Sequence, residues 1–281
     1  MSARTTALSA LIATRRQGAW SDGILKEYVQ RDRLERRDAA LASQLAYGVM
    51  QNRLLLDFYL EQVITGGLSR LQPAMLDILR LGAYQILLLD KIPDSAAVNE
   101  AVEQTKRYVN QKAAGMTNGA LRALSRKKES LEAPKDLATK YSHPQALVEL
   151  LLQSVGENQI EPFLRADNAP APTCLQVNTL LSNPSEVERE LTEQEISFRK
   201  HPWLPGCYLV KGTGNLAKLD LFSSGRVYVQ DPSAKLAAMP TIKRPRIAGS
   251  RASSAAALLR AMCSPGTRMR TRPSSVPSRT A

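Results

Sequence analysis

The sequence predicts a mostly α protein: an all-α helical bundle over residues 3–130, a helical linker over 131–168, a small α/β unit over 169–239 and a disordered basic tail over 240–281. Three observations carry this reading. Apolar residues recur at three- and four-residue intervals through the first half. After Pro172 the texture changes to short alternating segments separated by polar stretches. Beyond Pro240 acidic residues stop, while arginine, serine, alanine and proline accumulate.

The elements follow in chain order. Thr5–Gln17 is helix-compatible, with Leu8, Leu11 and Ile12 on one side and Arg15 and Arg16 at the end where cations suit the helix dipole. Its basic, acid-free start is also compatible with a transit peptide, but acids and helical patterning follow at once. Arg37–Thr65 reads as the longest helix: Leu41, Leu45 and Val49, then Leu56, Leu60 and Val63, form its stripe, and Gly66–Gly67 stops it. Pro73 sits at the start of the next helix, where a missing N–H costs little; Met75, Leu79, Ala83 and Ile86 line its inner face, and Ile86–Leu89 reads as core. Pro93–Asp94 opens another, with Asp94 as N-cap, and Val98, Val102, Thr105 and Val109 at helical spacing. Asn118–Arg126 closes the bundle. Glu132–Pro134 is a linker, and Pro144–Val155 and Glu157–Asn168 are helical. Thr173–Asn178, Ile196–Lys200, Tyr208–Val210 and Arg226–Gln230 read as strands, Pro184–Gln194 and Ser233–Met239 as helices. A β-α-β order with later strands fits a ferredoxin-like or RNA-recognition-like layer.

Composition narrows the function classes. The 281 residues carry 38 Lys+Arg against 26 Asp+Glu, a net charge of +12, which points to a polyanionic partner such as nucleic acid. The charge is unevenly placed. Residues 1–240 hold 29 cations and all 26 acids, whereas residues 241–281 hold 9 cations and none. Apolar runs such as Ile86–Leu89 are far too short for a membrane span. Three cysteines, Cys174, Cys207 and Cys263, are too few for a disulfide scaffold and suit a reducing cytoplasm.

Several segments then carry a specific resemblance. Arg37-Asp38-Ala39-Ala40-Leu41-Ala42 through Tyr47-Gly48-Val49 resembles the NusB-like RNA-binding domain. Leu76-Asp77-Ile78-Leu79-Arg80-Leu81-Gly82-Ala83-Tyr84-Gln85-Ile86, continuing into Asp90–Val102, is the closer match. Tyr141-Ser142-His143-Pro144, Val177-Asn178-Thr179 and Val229-Gln230-Asp231-Pro232-Ser233-Ala234 follow in order. Over residues 3–239 the ordered set resembles the Sun/Fmu-type small-subunit rRNA cytosine-5 methyltransferases. The resemblance implies a NusB-like domain, then a small RNA-recognition-like subdomain leading into a Rossmann-like domain for S-adenosylmethionine. It implies methylation of cytosine carbon 5 in 16S rRNA, with a Cys thiolate adding to carbon 6 and a second Cys motif assisting release.

The chain departs from that pattern after Gln230-Asp231-Pro232-Ser233. The expected Cys-Ala-Ala-Pro-Gly-Gly-Lys cofactor loop is absent, and no Pro-Gly-Gly occurs. Gly212-x-Gly214 with Ala217 makes no nucleotide loop. Only 41 residues follow Pro240, against about 100 or more for a domain of that kind. Cys174, Cys207 and Cys263 do not correspond to the catalytic cysteines. The expectation is a truncated chain without catalytic or cofactor-binding residues, its reading frame changed between Met239 and Arg251. Codons for Ala255–Ala261 can be chosen so that a frame shifted by one base reads Gly-Cys-Gly-Ala-Pro-Ala-Gly, close to the missing loop.

The candidate RNA-binding residues are Arg4, Arg15, Arg16, Arg126, Lys127 and Lys128. An arginine offers a fixed fork for phosphate and a plane on which unpaired bases stack; ordinary solvation of helix ends is the competing account. Arg31, Arg33, Arg36 and Arg37 are interrupted by Asp32, Glu35 and Asp38 and read as intrahelical pairs. His143 and His201 lack ligand-spaced partners, so no metal is expected. The expected partner is small-subunit rRNA bound by a cytoplasmic monomer, with no membrane and no cofactor in this chain, S-adenosylmethionine belonging to the intact family. The alternative function is a non-enzymatic NusB-type RNA-binding or transcription antitermination module. Residues 132–239 speak against it, because a stand-alone NusB-like protein would end near Arg126.

Overall fold

Ser2 caps the first helix through its Oγ, which accepts from the Thr5 backbone N–H, and Gly18 closes it in the left-handed conformation at φ 58°. This α1 (Ala3–Gln17) begins a computed structural model that describes residues 1–18, 21–213, 216 and 219–242. The chain divides into two compact units at Ala169/Pro170.

In the first unit, α1 is followed by α2 (Ser21–Arg31), α3 (Arg36–Gln51), α4 (Arg53–Glu61), α5 (Pro73–Leu88), α6 (Asp94–Tyr108) and α7 (Ala113–Lys127). Their inner faces share one core in which Leu8, Leu45, Leu56, Leu60, Leu79 and Leu121 are fully buried. The bundle and its later α/β layer agree with the predicted fold class, with several local corrections.

The helix predicted over 37–65 is two helices. At Asn52, φ −104° and ψ 21° leave the helical region, and its side-chain Nδ2 donates to the Gly48 carbonyl at 2.9 Å. A short polar side chain thus competes for a backbone acceptor and turns the chain. The second helix ends at Glu61, before Gly66–Gly67, and Ile64 is buried where Val63 was expected. Helix α2 was not foreseen. Pro93, not Asp94, is the N-cap of α6, and the Asp94 carboxylate accepts from Ser125 Oγ at 2.6 Å. Leu88 is exposed, so Ile86–Leu89 is core only in part.

Helices α8 (Leu137–Tyr141), α9 (Gln145–Val155) and α10 (Glu157–Asp167) form a satellite core around Val148, Ile160 and Leu164. His143 belongs to its frame. The ring is buried, with Nδ1 2.7 Å from the Tyr141 carbonyl and Nε2 2.9 Å from Asp167 Oδ2.

The second unit runs β1 (Thr173–Val177), α11 (Pro184–Glu193), β2 (Ser197–Lys200), β3 (Cys207–Lys211), α12 (Asp220–Ser223), β4 (Val227–Val229) and α13 (Pro232–Ile242). The four strands are antiparallel in the order β2-β3-β1-β4. A β-α-β-β-α-β chain in that order is ferredoxin-like. Helix α11 starts in a capping box between Asn183 and Glu186 and buries Val187 and Leu191 against Leu175, Val177, Tyr208 and Val210. Arg226 ties the layer together: it donates to both Glu190 carboxylate oxygens, at 2.6 and 3.1 Å, and to Asp220 Oδ2 at 2.8 Å. The basic tail and Cys263 lie outside the described residues.

Candidate nucleic-acid interface

In the first unit a cleft of about 280 Å³ opens among α1, α2, α5 and α6. Arg16 and Arg31 line it together with Tyr28, Tyr108, Ser9 and Gln17. Helical spacing places Tyr28 and Arg31 one turn apart, and the guanidinium sits over the tyrosine ring at 4.0 Å from its centroid. Asp32 orients that arginine by accepting from Nε at 2.8 Å and Nη2 at 3.1 Å, and it also accepts from Thr6 Oγ1 at 2.7 Å. The Arg31 guanidinium, aided by Thr6, holds the Asp32 carboxyl below the usual carboxylate range. Across the cleft, Tyr108 Oη is 3.4 Å from Ser9 Oγ, and Arg107 approaches its ring at 5.5 Å.

The six residues expected to bind RNA fall into different settings. Arg16 lines the cleft. Arg4 Nε donates to Gln85 Oε1 at 2.6 Å, and Gln85 is buried. Arg15 Nε donates to Asp77 Oδ2 at 2.9 Å. Asp77 Oδ1 is 3.6 Å from Arg80 Nη1, and Arg80 makes a bidentate pair with Asp57, both contacts at 2.7 Å. Burial pushes the Asp77 carboxyl above its ordinary range, against the pull of Arg15 and Arg80. Arg4 and Arg15 thus anchor α1 on α5. Arg126 lines a separate hollow of about 320 Å³ with Arg122, Ser95, Asn99 and Asp94. Lys127 and Lys128 are exposed at the end of α7.

Sequence reasoning missed Tyr28, Tyr108 and Arg122 and read Arg31 as one of several intrahelical pairs. The available signal was the Tyr28–Arg31 spacing, usable only once residues 21–31 are recognised as a helix. The Arg31–Asp32 contact is between neighbours, not across a turn, and Arg33 leaves the helix at φ 49°.

The ferredoxin-like sheet presents a different surface. Its core face carries Leu175, Val177, Tyr208 and Val210; the opposite face of β1 and β3 carries Cys174, Gln176, Cys207 and Leu209. On that face the two central strands carry no aromatic side chain, and the neighbouring β4 places Tyr228 there, opposite Gln176. Lys235 covers the edge of this face, donating to Gln176 Oε1 and to the Pro205 carbonyl, each at 2.6 Å. Among the described residues no group of His, Cys, Asp and Glu could hold a metal, and no helix is long and apolar enough to cross a membrane.

Comparison with known proteins agrees with this domain order. The NusB family matches residues 1–126, and the RsmF/B-like methyltransferase ferredoxin-like domain matches residues 143–216. The probable ribosomal RNA small subunit methyltransferase B of Bacillus subtilis (strain 168) is 32% identical over 243 residues, covering 84% of this chain and 54% of that protein. Its counterpart from Synechocystis is 31% identical over 241 residues, with the same coverage. The crystal structure of PH0851 superposes with a TM-score of 0.60 at 22% identity, covering 85% of this chain and 56% of that one, a likeness of fold. The chain spans about half the length of the curated relatives it matches. A NusB domain followed by an RsmF/B-like ferredoxin-like domain, with relatives of that name along both, means that the chain belongs to the Sun/Fmu-type, or ribosomal RNA small subunit methyltransferase B, family.

Proposed function

We propose that this chain binds RNA, with small-subunit rRNA as its target, and supplies the recognition part of S-adenosylmethionine-dependent rRNA cytosine-5 methylation without the transfer step. The observation that carries the reading is the cleft in which Arg16 and Arg31 stand with Tyr28 and Tyr108. Aromatic rings and guanidinium planes stack unpaired bases, while the remaining N–H donors take phosphate oxygens. Arg126, Lys127 and Lys128 supply further phosphate contacts. Arg4 and Arg15 have only Nε engaged with α5, so their terminal nitrogens contribute as well.

Among the described residues, the turn after β4 does not fit S-adenosylmethionine. After β4 the chain turns at Asp231, whose carboxylate accepts from the Ser233 backbone N–H at 2.7 Å and the Ala234 N–H at 3.3 Å, and α13 follows at once. No glycine lies between strand and helix to admit a cofactor against the backbone. We assign no methyl-transfer step to this chain, which acts as a cytoplasmic monomer without a bound metal. The ferredoxin-like unit favours this reading over a stand-alone antitermination module.

The test has two arms on the full chain. Titration of a labelled single-stranded small-subunit rRNA fragment is expected to show salt-sensitive binding; binding unaffected by Tyr28→Ala and Arg16→Gln overturns the cleft assignment. Incubation with labelled S-adenosylmethionine and unmodified small-subunit RNA is expected to give no transfer; transfer above background overturns the division of labour.

A further inference from the structure

We propose that Cys174 and Cys207 are a site of oxidative modification, where an intramolecular disulfide forms across the ferredoxin-like sheet. Their Sγ atoms stand 2.9 Å apart, and both residues are buried. The strand register explains the proximity. Gln176 is paired with Cys207 and Cys174 with Leu209, so the cysteines are diagonal neighbours on one face of adjacent antiparallel strands. That face is the one turned away from the apolar core of the unit, and Leu204 and Leu209 pack around the pair.

Little has to move for the bond to form. A disulfide needs its sulfurs at about 2.05 Å, so the thiols close by under about 1 Å. The backbone beside them is already joined, with the Val177 N–H donating to the Gly206 carbonyl at 2.8 Å. The strand register is the same before and after. With hydrogen peroxide as oxidant, one thiol loses its proton, the thiolate attacks a peroxide oxygen and the O–O bond breaks; the departing hydroxide takes up that proton, leaving a sulfenic acid and one water. The second thiol attacks the sulfenic sulfur, the S–O bond breaks, and a second water leaves with the thiol proton. Two electrons pass from the two thiols to the peroxide.

Burial sets the pace. It pushes the Cys174 thiol up to about 12, with the neighbouring Cys207 acting in the same direction. The Lys235 ammonium acts the other way, and it is pinned at the edge of this face by Gln176 and Pro205. Oxidation therefore proceeds slowly and within one chain, because the pair is within reach of itself and out of reach of a second molecule.

The experiment uses the full chain carrying Cys263→Ser, so that only two thiols remain. The protein is exposed to hydrogen peroxide, alkylated in denaturant, digested with trypsin without reduction and weighed by mass spectrometry. Peptides 166–189 and 201–211 are expected as one linked species, two hydrogens lighter than their sum and separated by dithiothreitol. The oxidised protein is expected to unfold at higher denaturant concentration than the reduced one. Cys174→Ser and Cys207→Ser, each checked for native circular dichroism, are expected to lose both signals. Recovery of both peptides fully alkylated, linkage only after unfolding, or linkage between chains overturns the proposal.

Discussion

Gly48 of α3 lies against the ring of Tyr84 of α5, so close that a Cβ at position 48 would overlap the phenol carbons Cζ and Cε1. Both residues stand in the segments by which the family is recognised, and this contact gives a physical reason for their types. A side chain at 48 would push apart two helices that share the main core. Gly48→Ala is expected to destabilise the first unit by about 1–3 kcal/mol. Gly119→Ala, at an open position of α7 with nothing within 4 Å of the new methyl, is expected to stabilise it by about 0.8–1.0 kcal/mol. Urea unfolding of the two variants checks the opposite signs.

The two buried-side carboxylates of the bundle are expected to respond to pH in opposite directions. Asp77 is raised above its ordinary value by burial, so the folded state holds that proton more tightly than the unfolded chain does. Its contribution is therefore fully present at acid pH and is lost as pH rises through the folded value. Asp32 is lowered, chiefly by its hydrogen bond to Arg31. Its contribution is present above the unfolded value and is lost as pH falls through the folded one. Relative to wild type, Asp77→Asn is expected to lose ground on acidification and Asp32→Asn to gain it. Denaturant midpoints at neutral and acid pH measure both.

RNA affinity is expected to separate charge from stacking. Arg16→Gln is expected to reduce the slope of log affinity against log salt by about 0.7 for a single strand. Tyr28→Ala is expected to cost about 1–3 kcal/mol of binding with the slope nearly unchanged. Anisotropy titrations at several salt concentrations distinguish the two.

In the second unit, Arg226→Met is expected to destabilise by about 1–2 kcal/mol, between the values for exposed and buried pairs. The side chains of Arg226 and Glu190 are 27% and 20% exposed, whereas Asp220 is 74% exposed and contributes little. Asn183→Ala, which removes the cap of α11, is expected to cost about 1 kcal/mol. Rates of limited proteolysis within residues 170–242 read both changes.

Most helices and all four strands were legible because the apolar period is local. The buried face of α5 at Met75, Leu79, Ala83 and Ile86 could be read directly from spacing. The break at Asn52 could not, because the stripe from Leu45 to Leu60 continues across it and the turn is marked by side-chain hydrogen bonds, from Asn52 to the Gly48 carbonyl and from the Leu54 N–H to Ser142, 88 residues away in the chain. Helix α2 escaped because its exposed Gly23 weakens the signal. Of the candidate cations, only Arg16 falls in the cleft with Arg31. Its neighbour Arg15 is directed at Asp77, 62 residues away in the chain, a partner that no local pattern reveals.

The sequence by itself determined the helical bundle, the ferredoxin-like element order and the family, since each is written in short-range periodicity or in contiguous segments. Tertiary structure alone decided which arginine is tied to a carboxylate, that Gly48 makes room for Tyr84, and that Cys174 meets Cys207 across two strands. The physical reason is common to all three. Side chains distant along the chain become neighbours only when helices cross and strands pair, and it is the packed arrangement that fixes their chemistry.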